Sequence, residues 1–129
     1  MKLKKEYKDK INYLFDVLKK NDIKVLDVNF SGSGDEGNME INGHDGPDNV
    51  NFDEPTIFQD DIWSNGSYKK DYVPLEELIY NVADYVLNER GVDYANGNGN
   101  DGTVYFEVEK RQISMTYLVT TDERYSFNV

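Results

Sequence analysis

The sequence predicts an α+β fold: an antiparallel sheet of about four to five strands with two amphipathic helices packed on one face. Two observations carry this. Apolar residues recur at helical spacing near the N-terminus and again after Pro74, whereas most other apolar runs alternate every second residue. The resulting order of helix, strand, strand, excursion, helix, strand, strand suits helices covering one side of an antiparallel sheet. With 129 residues the chain can fill one core but not two, so it is read as a single domain spanning 1–129.

Tyr7, Ile11, Leu14, Phe15 and Leu18 mark the first helix, from about Lys4 to Lys20, with Lys19 and Lys20 placed well at its C-terminal end. The next stretch, "IKVLDVNF", changes to a two-residue period. Leu26, Val28 and Phe30 face a core there, while Asp27 and Asn29 face away. "NMEIN" continues the alternation through Met39 and Ile41, so a Gly-rich segment joins two short strands. Residues 43–72 show no clear period and read as a long surface excursion with a short strand near Thr56–Trp63. Phe52, Ile57, Phe58, Ile62 and Trp63 are expected to tack it to the body.

Pro74 is expected to open the second helix, where its missing N–H costs nothing. Its apolar stripe is Leu75, Leu78, Ile79, Val82 and Val86; Glu76 and Glu77 suit its first turn, Arg90 its last, and Gly91 its stop. Val104, Phe106 and Val108 then line one strand face, and Ile113, Met115, Tyr117 and Val119 the next, with "YSFNV" as a final strand.

The chain has no cysteine, which excludes disulfides, thiolate metal sites and Cys nucleophiles. Its basic start, "MKLKKEYKDKINYLF", lacks the apolar stretch of a secretory signal, and no segment has the length of a membrane span. A cytoplasmic protein without membrane contact is expected. The net charge of −11 is uneven: no Lys or Arg occurs between Val25 and Tyr68, where ten Asp and Glu residues lie. Such a field repels phosphate backbones and anionic membranes and attracts basic protein surfaces, so direct nucleic-acid binding is disfavoured. The plainer reading is that this acidity keeps a small protein soluble.

Gly32-x-Gly34-x-x-Gly37 and Gly97-x-Gly99-x-x-Gly102 both fit the G-x-G-x-x-G pattern of a dinucleotide-binding turn. That turn needs a helix directly afterwards, because the helix N-terminus holds the pyrophosphate. Here "NMEIN" and "TVYFEVE" follow, both reading as strands, and Asp35, Glu36 and Asp101 would set carboxylates against phosphate. The six glycines are therefore read as shaping hairpin turns, by positive φ or close backbone approach. Asn96, Asn98, Asn100 and Glu107 mimic an EF-hand spacing, yet the first position lacks a carboxylate and the sixth lacks glycine. A weaker cation site using Asp35, Asp93 and Asp101 is the remaining alternative.

Catalysis finds little material. His44 is the one histidine, placed in a loop, and no G-x-S-x-G elbow is present. The chain reads as non-enzymatic and without a cofactor.

The run Phe30-Ser31-Gly32-Ser33-Gly34-Asp35-Glu36-Gly37 resembles the F-D-G-S-G-D-S-G segment of a domain-of-unknown-function family of small acidic bacterial proteins. "PLEELIYNVADYVLNER" is similar to that family's L-x-E-x-I-x-x-L-A-Y-D-L-L helix, and Tyr94 through Gly102 followed by Tyr105 to Val108 resembles its W-E-N-N-D-G and F-x-F-D-V segments. Ser31 stands where the family often has Asp, and Tyr94 where it often has Trp. The resemblance implies no activity, only a setting: an accessory gene carried by a plasmid or phage, for which action against host defence is one conceivable role.

Together these readings predict an acidic interaction protein that engages a basic partner protein. The partner-binding residues expected are Asp35, Glu36, Glu40, Asp45, Asp48, Asp53, Glu54, Asp60 and Asp61, a row of carboxylates able to imitate phosphates. The competing expectation is a divalent-cation or small-ligand protein built on the two Gly/Asp turns.

Overall fold

The computed structural model describes residues 3–33, 36–91, 101–117 and 123–128. The α+β expectation holds. Helix α1 covers Lys5–Lys20, followed by strands β1 (Val25–Ser33), β2 (Glu36–Asp45), β3 (Pro55–Ser64) and β4 (Ser67–Pro74). Helix α2 (Leu75–Arg90) precedes strands β5 (Gly102–Glu107), β6 (Gln112–Tyr117) and β7 (Glu123–Asn128). Five strands form one antiparallel sheet in the order β2-β1-β5-β6-β7, and β3 pairs with β4 in a separate ribbon.

One face of the large sheet carries the core. Leu26 lies opposite Phe106, Val28 opposite Val104, Phe106 opposite Ile113 and Val104 opposite Met115, and all are buried. The apolar stripes of both helices meet this face. Ile11, Leu14, Phe15 and Leu18 of α1 are buried, with the Phe15 ring edge-on to Phe106 at 6.3 Å. Burial on this scale supplies about 1.5–3 kcal/mol per large apolar side chain. Tyr7 stacks on Tyr85 at 3.6 Å, joining the two helices, and the Tyr85 hydroxyl accepts the Lys4 N–H where α1 begins. Arg111, just before β6, donates to the Asn12 carbonyl and Oδ1 and pairs with Asp16, which fixes the β5–β6 turn to α1.

The opposite face of the sheet has no covering layer among the described residues. Asp27, Asn29, Thr103, Tyr105, Ser114 and Thr116 occupy it, alternating with the core positions. A bulge between Asp27 and Val28 gives β2 one extra residue, Asn42.

Several local expectations need correction. Pro74 ends β4 as the N-cap of α2 rather than occupying the first helical position, and Leu75 starts the helix. His44 is not in a loop: it lies in β2, half-buried against Phe52, with Nε2 2.7 Å from the Pro47 carbonyl. The strand expected near Thr56–Trp63 is β3, and it forms a hairpin with β4, a strand not expected from the sequence, so most of the 43–72 segment is regular. Asn65 and Gly66 link the strands with φ of +51° and +84°, the backbone that a tight hairpin turn requires. Phe52 and Phe58 do pack on the core, but Ile57 and Trp63 stay 66% and 61% exposed and hold nothing down.

Candidate partner-binding groove

A groove of about 660 Å³ runs between the β3–β4 hairpin, α2 and the outer edge of β2. Each wall follows from a local rule. The hairpin is a ribbon whose tip stands clear of the core. Trp63 packs edge-on to its cross-strand partner Tyr68 at 5.0 Å, and the adjacent Asp61–Lys70 pair forms a 3.7 Å ion pair. At the ribbon's base, the Thr56 hydroxyl donates to the Val73 carbonyl, and Phe58 sits edge-on to Tyr13 of α1. Helix α2 contributes Glu77, Leu78, Tyr80, Asn81 and Asp84, one face of its turns, while β2 contributes Gly37 and Met39.

The groove is amphipathic. Met39, Phe58, Val73 and Leu78 give it an apolar floor, and Asp60, Asp61, Glu77 and Asp84 edge it with carboxylates, with Lys10 the one cation among the described lining residues and Lys70 paired to Asp61 beside it. The Lys10 ammonium lies 5.0 Å from the Tyr7 ring and 5.5 Å from the Phe58 ring, drawn toward aromatic faces. Tyr80 fastens one end, its hydroxyl accepting the Ile41 N–H at 3.2 Å. Burial raises the Tyr80 phenol above its ordinary value; the hydrogen bond from the Ile41 N–H pulls it partly back, and the neighbouring charges of Glu76 and Glu40 push it up again.

The carboxylates expected to form one row are dispersed by the fold. Glu36 opens β2 opposite Ser33, and Glu40 lies on the uncovered sheet face beside Asn29. Asp45 closes β2, its carbonyl accepting the Lys24 N–H, and Asp48 and Asp53 are exposed on the loop that follows. Glu54 has a structural job: its Oε1 accepts from Asn21 and its carbonyl from the Leu75 N–H at the start of α2. Of the nine, only Asp60 and Asp61 reach the groove, and Asp35 lies outside the described residues. Glu77 and Asp84, which sequence reasoning placed in an ordinary amphipathic helix, are the acids that join them.

The two glycine segments do meet. Asp101 Oδ1 accepts the Gly32 N–H at 3.3 Å, and Gly102 starts β5 directly opposite Phe30. Gly32 and Gly37 face each other across the β1–β2 ladder, and the described glycines with positive φ are Gly66 and Gly91 instead. Gly102 is needed for close approach, since a Cβ there would lie 1.9 Å from the Thr116 carbonyl oxygen. Gly34, Gly97, Gly99 and Asp93 lie outside the described residues. A second hollow of about 510 Å³ here is lined by Asn29, Ser31, Asn38, Glu40, Asp101 and Thr103, on the uncovered sheet face. Among the described residues no three His, Asp or Glu side chains are grouped to hold a metal. Asp27, farther along the same face, has a buried Oδ1 with no hydrogen-bond partner among the described residues, and burial raises its carboxyl above the ordinary value.

Fold and groove define a small α+β protein with a half-covered antiparallel sheet and an appended ribbon. The chain belongs to a family of unknown function (DUF6878), whose model matches residues 7–129. No curated protein and no solved structure matches it. No helix among the described residues is long and apolar enough to cross a membrane.

Proposed function

We propose that this chain is a non-enzymatic interaction protein that holds a basic segment of a partner protein in the groove between α2, β2 and the hairpin. The single observation that carries this is the pairing of an apolar floor with a rim of four carboxylates, Asp60, Asp61, Glu77 and Asp84. An apolar floor supplies binding energy once water is expelled, and the rim selects positive charge and repels nucleic acid. Trp63 and Tyr68 stand exposed at the hairpin tip, and aromatic residues of this kind serve as anchors at protein interfaces. The mobile-element setting implied by the family resemblance suggests a host protein as partner, one whose own basic surface serves nucleic acid. The groove would then compete for that surface.

Trp63 lines the groove and is the chain's one tryptophan, so its fluorescence reports on occupancy. Titration with a peptide alternating Lys and apolar residues should change that emission, with affinity falling as salt rises. An acidic peptide of the same apolar content should not bind. The combined variant Asp60→Asn, Glu77→Gln, Asp84→Asn should lose the response. Equal binding of the acidic and basic peptides, or no response to either, would refute the reading.

A further inference from the structure

We propose that the groove takes its partner as an added strand, with an extended basic segment pairing along the free edge of β2. This rests on the reading above and says how the segment is held. In the strand order, β2 is an edge strand with β1 as its neighbour in the described sheet. In an antiparallel ladder the N–H and C=O of a residue point to the same side, and that side alternates along the strand. The Ile41 N–H points away from β1, because it donates to the Tyr80 hydroxyl of α2. From Ile41 to Glu36 the register with β1 runs without a shift. Met39 and Gly37 therefore turn their N–H and C=O groups outward too.

Those two residues are the part of β2 that lines the groove. Tyr80 closes the edge at Ile41, and beyond it the edge opens into the cavity between Phe58, Ile62 and Leu78. A strand laid there would have alternating side chains. One set would meet the floor at Met39 and Leu78, within reach of Glu77 and Asp84. The other would emerge on the sheet's uncovered face beside Asn38 and Glu40. Both sets meet carboxylates, so a segment alternating Lys or Arg with apolar residues sets its cations against carboxylates whichever set faces the floor, and an acidic one does not fit. Main-chain pairing would supply affinity, and the carboxylates would choose the sequence.

The test uses the full chain, labelled with nitrogen-15, and the peptide acetyl-Lys-Val-Lys-Phe-Lys-Val-Lys-amide. At saturation the Gly37 and Met39 amides should exchange with solvent about tenfold more slowly or better, while Asn38 and Glu40, already turned toward β1, change little. N-methylation at alternate peptide residues should abolish binding in one phase and spare it in the other. Met39→Pro removes an outward donor and no ladder bond, so it should weaken binding by about tenfold. If that variant fails to fold, the methylated peptides decide alone. Salt-sensitive binding that is lost on neutralising Glu77 and Asp84 but leaves Gly37 and Met39 unprotected would overturn strand addition and leave the groove reading standing. No binding at millimolar peptide would overturn both. Protection of the same amides without peptide, in a chain that sediments as a dimer, would assign the edge to a second copy and overturn the proposal.

Discussion

The Tyr80 hydroxyl accepts the Ile41 N–H at 3.2 Å, so a side chain of α2 stands where a neighbouring strand would otherwise pair with β2. This contact ties the helix layer to the sheet edge and forms one end of the groove.

Tyr80→Phe keeps the ring and orphans the half-buried Ile41 N–H. We expect a loss of about 1–2 kcal/mol, read as a Tm lower by roughly 3–8 °C. The raised phenol value means that the folded chain holds this proton more tightly than the unfolded chain does. That contribution is present below the ordinary tyrosine range and is lost as pH rises through the folded value. The gap between wild type and variant should therefore close in alkaline melts; an equal gap at every pH would contradict the assignment.

Asp27→Asn should stabilise the protein at neutral pH. Its carboxyl value is raised from 3.8 by burial, so the fold favours the protonated form and the ionised form is penalised near pH 7. The expected gain is a Tm higher by about 2–5 °C. It should shrink as pH falls through the raised value toward 3.8, where wild-type Asp27 is itself neutral. A destabilised variant at pH 7 would show that the carboxylate has a favourable partner.

Gly66→Ala tests the hairpin turn. A Cβ at Gly66 meets nothing within 4 Å, so the penalty comes only from its φ of +84°. Denaturant midpoints should report a loss of about 1–2 kcal/mol. Asn65→Gly should be nearly neutral, because Gly accepts the same left-handed backbone. A fully stable Gly66→Ala would mean that the ribbon contributes nothing to the cooperative fold.

Gly102→Ala tests close approach in a place where φ is ordinary. The new Cβ would collide with the Thr116 carbonyl oxygen and lie 2.8 Å from Phe30 Cζ, so the β5–β6 pairing must open at its first residue. A loss of about 3 kcal/mol or more is expected. Gly43→Ala, with nothing within 4 Å, provides the control. Similar midpoints for the two variants would place Gly102 in a looser setting.

Both helices and the core strands were legible because their periods are local: Leu26, Val28 and Phe30 alternate whatever lies beside them. The ribbon was harder to see. Its register slips by two residues between Pro55 and Gln59, and its apolar residues come in adjacent pairs, Ile57-Phe58 and Ile62-Trp63, which hide the alternation that marks a strand. It also leaves Trp63 and Tyr68 in solvent, so no consistent apolar face shows. The Asn65-Gly66 pair between two aromatic residues was the missed signal, since that dipeptide favours the backbone of a two-residue hairpin. The groove could not be read at all, because Gly37, Asp60 and Asp84 come together only through tertiary packing. The acidic row failed for a related reason: closeness in sequence put Glu40 and Asp60 in one group, and the sheet and ribbon carry them to different surfaces.

An edge strand such as β2 ordinarily invites its own kind, and unprotected edges are where identical chains begin to stack into aggregates. Here any approaching copy brings the same Asp60, Glu77 and Asp84, together with a net charge of −11, against an identical set. The carboxylates that would admit a basic strand thus work as self-exclusion. On the strand-addition proposal they would leave the edge open to a partner of opposite charge and disfavour a second copy of the same chain.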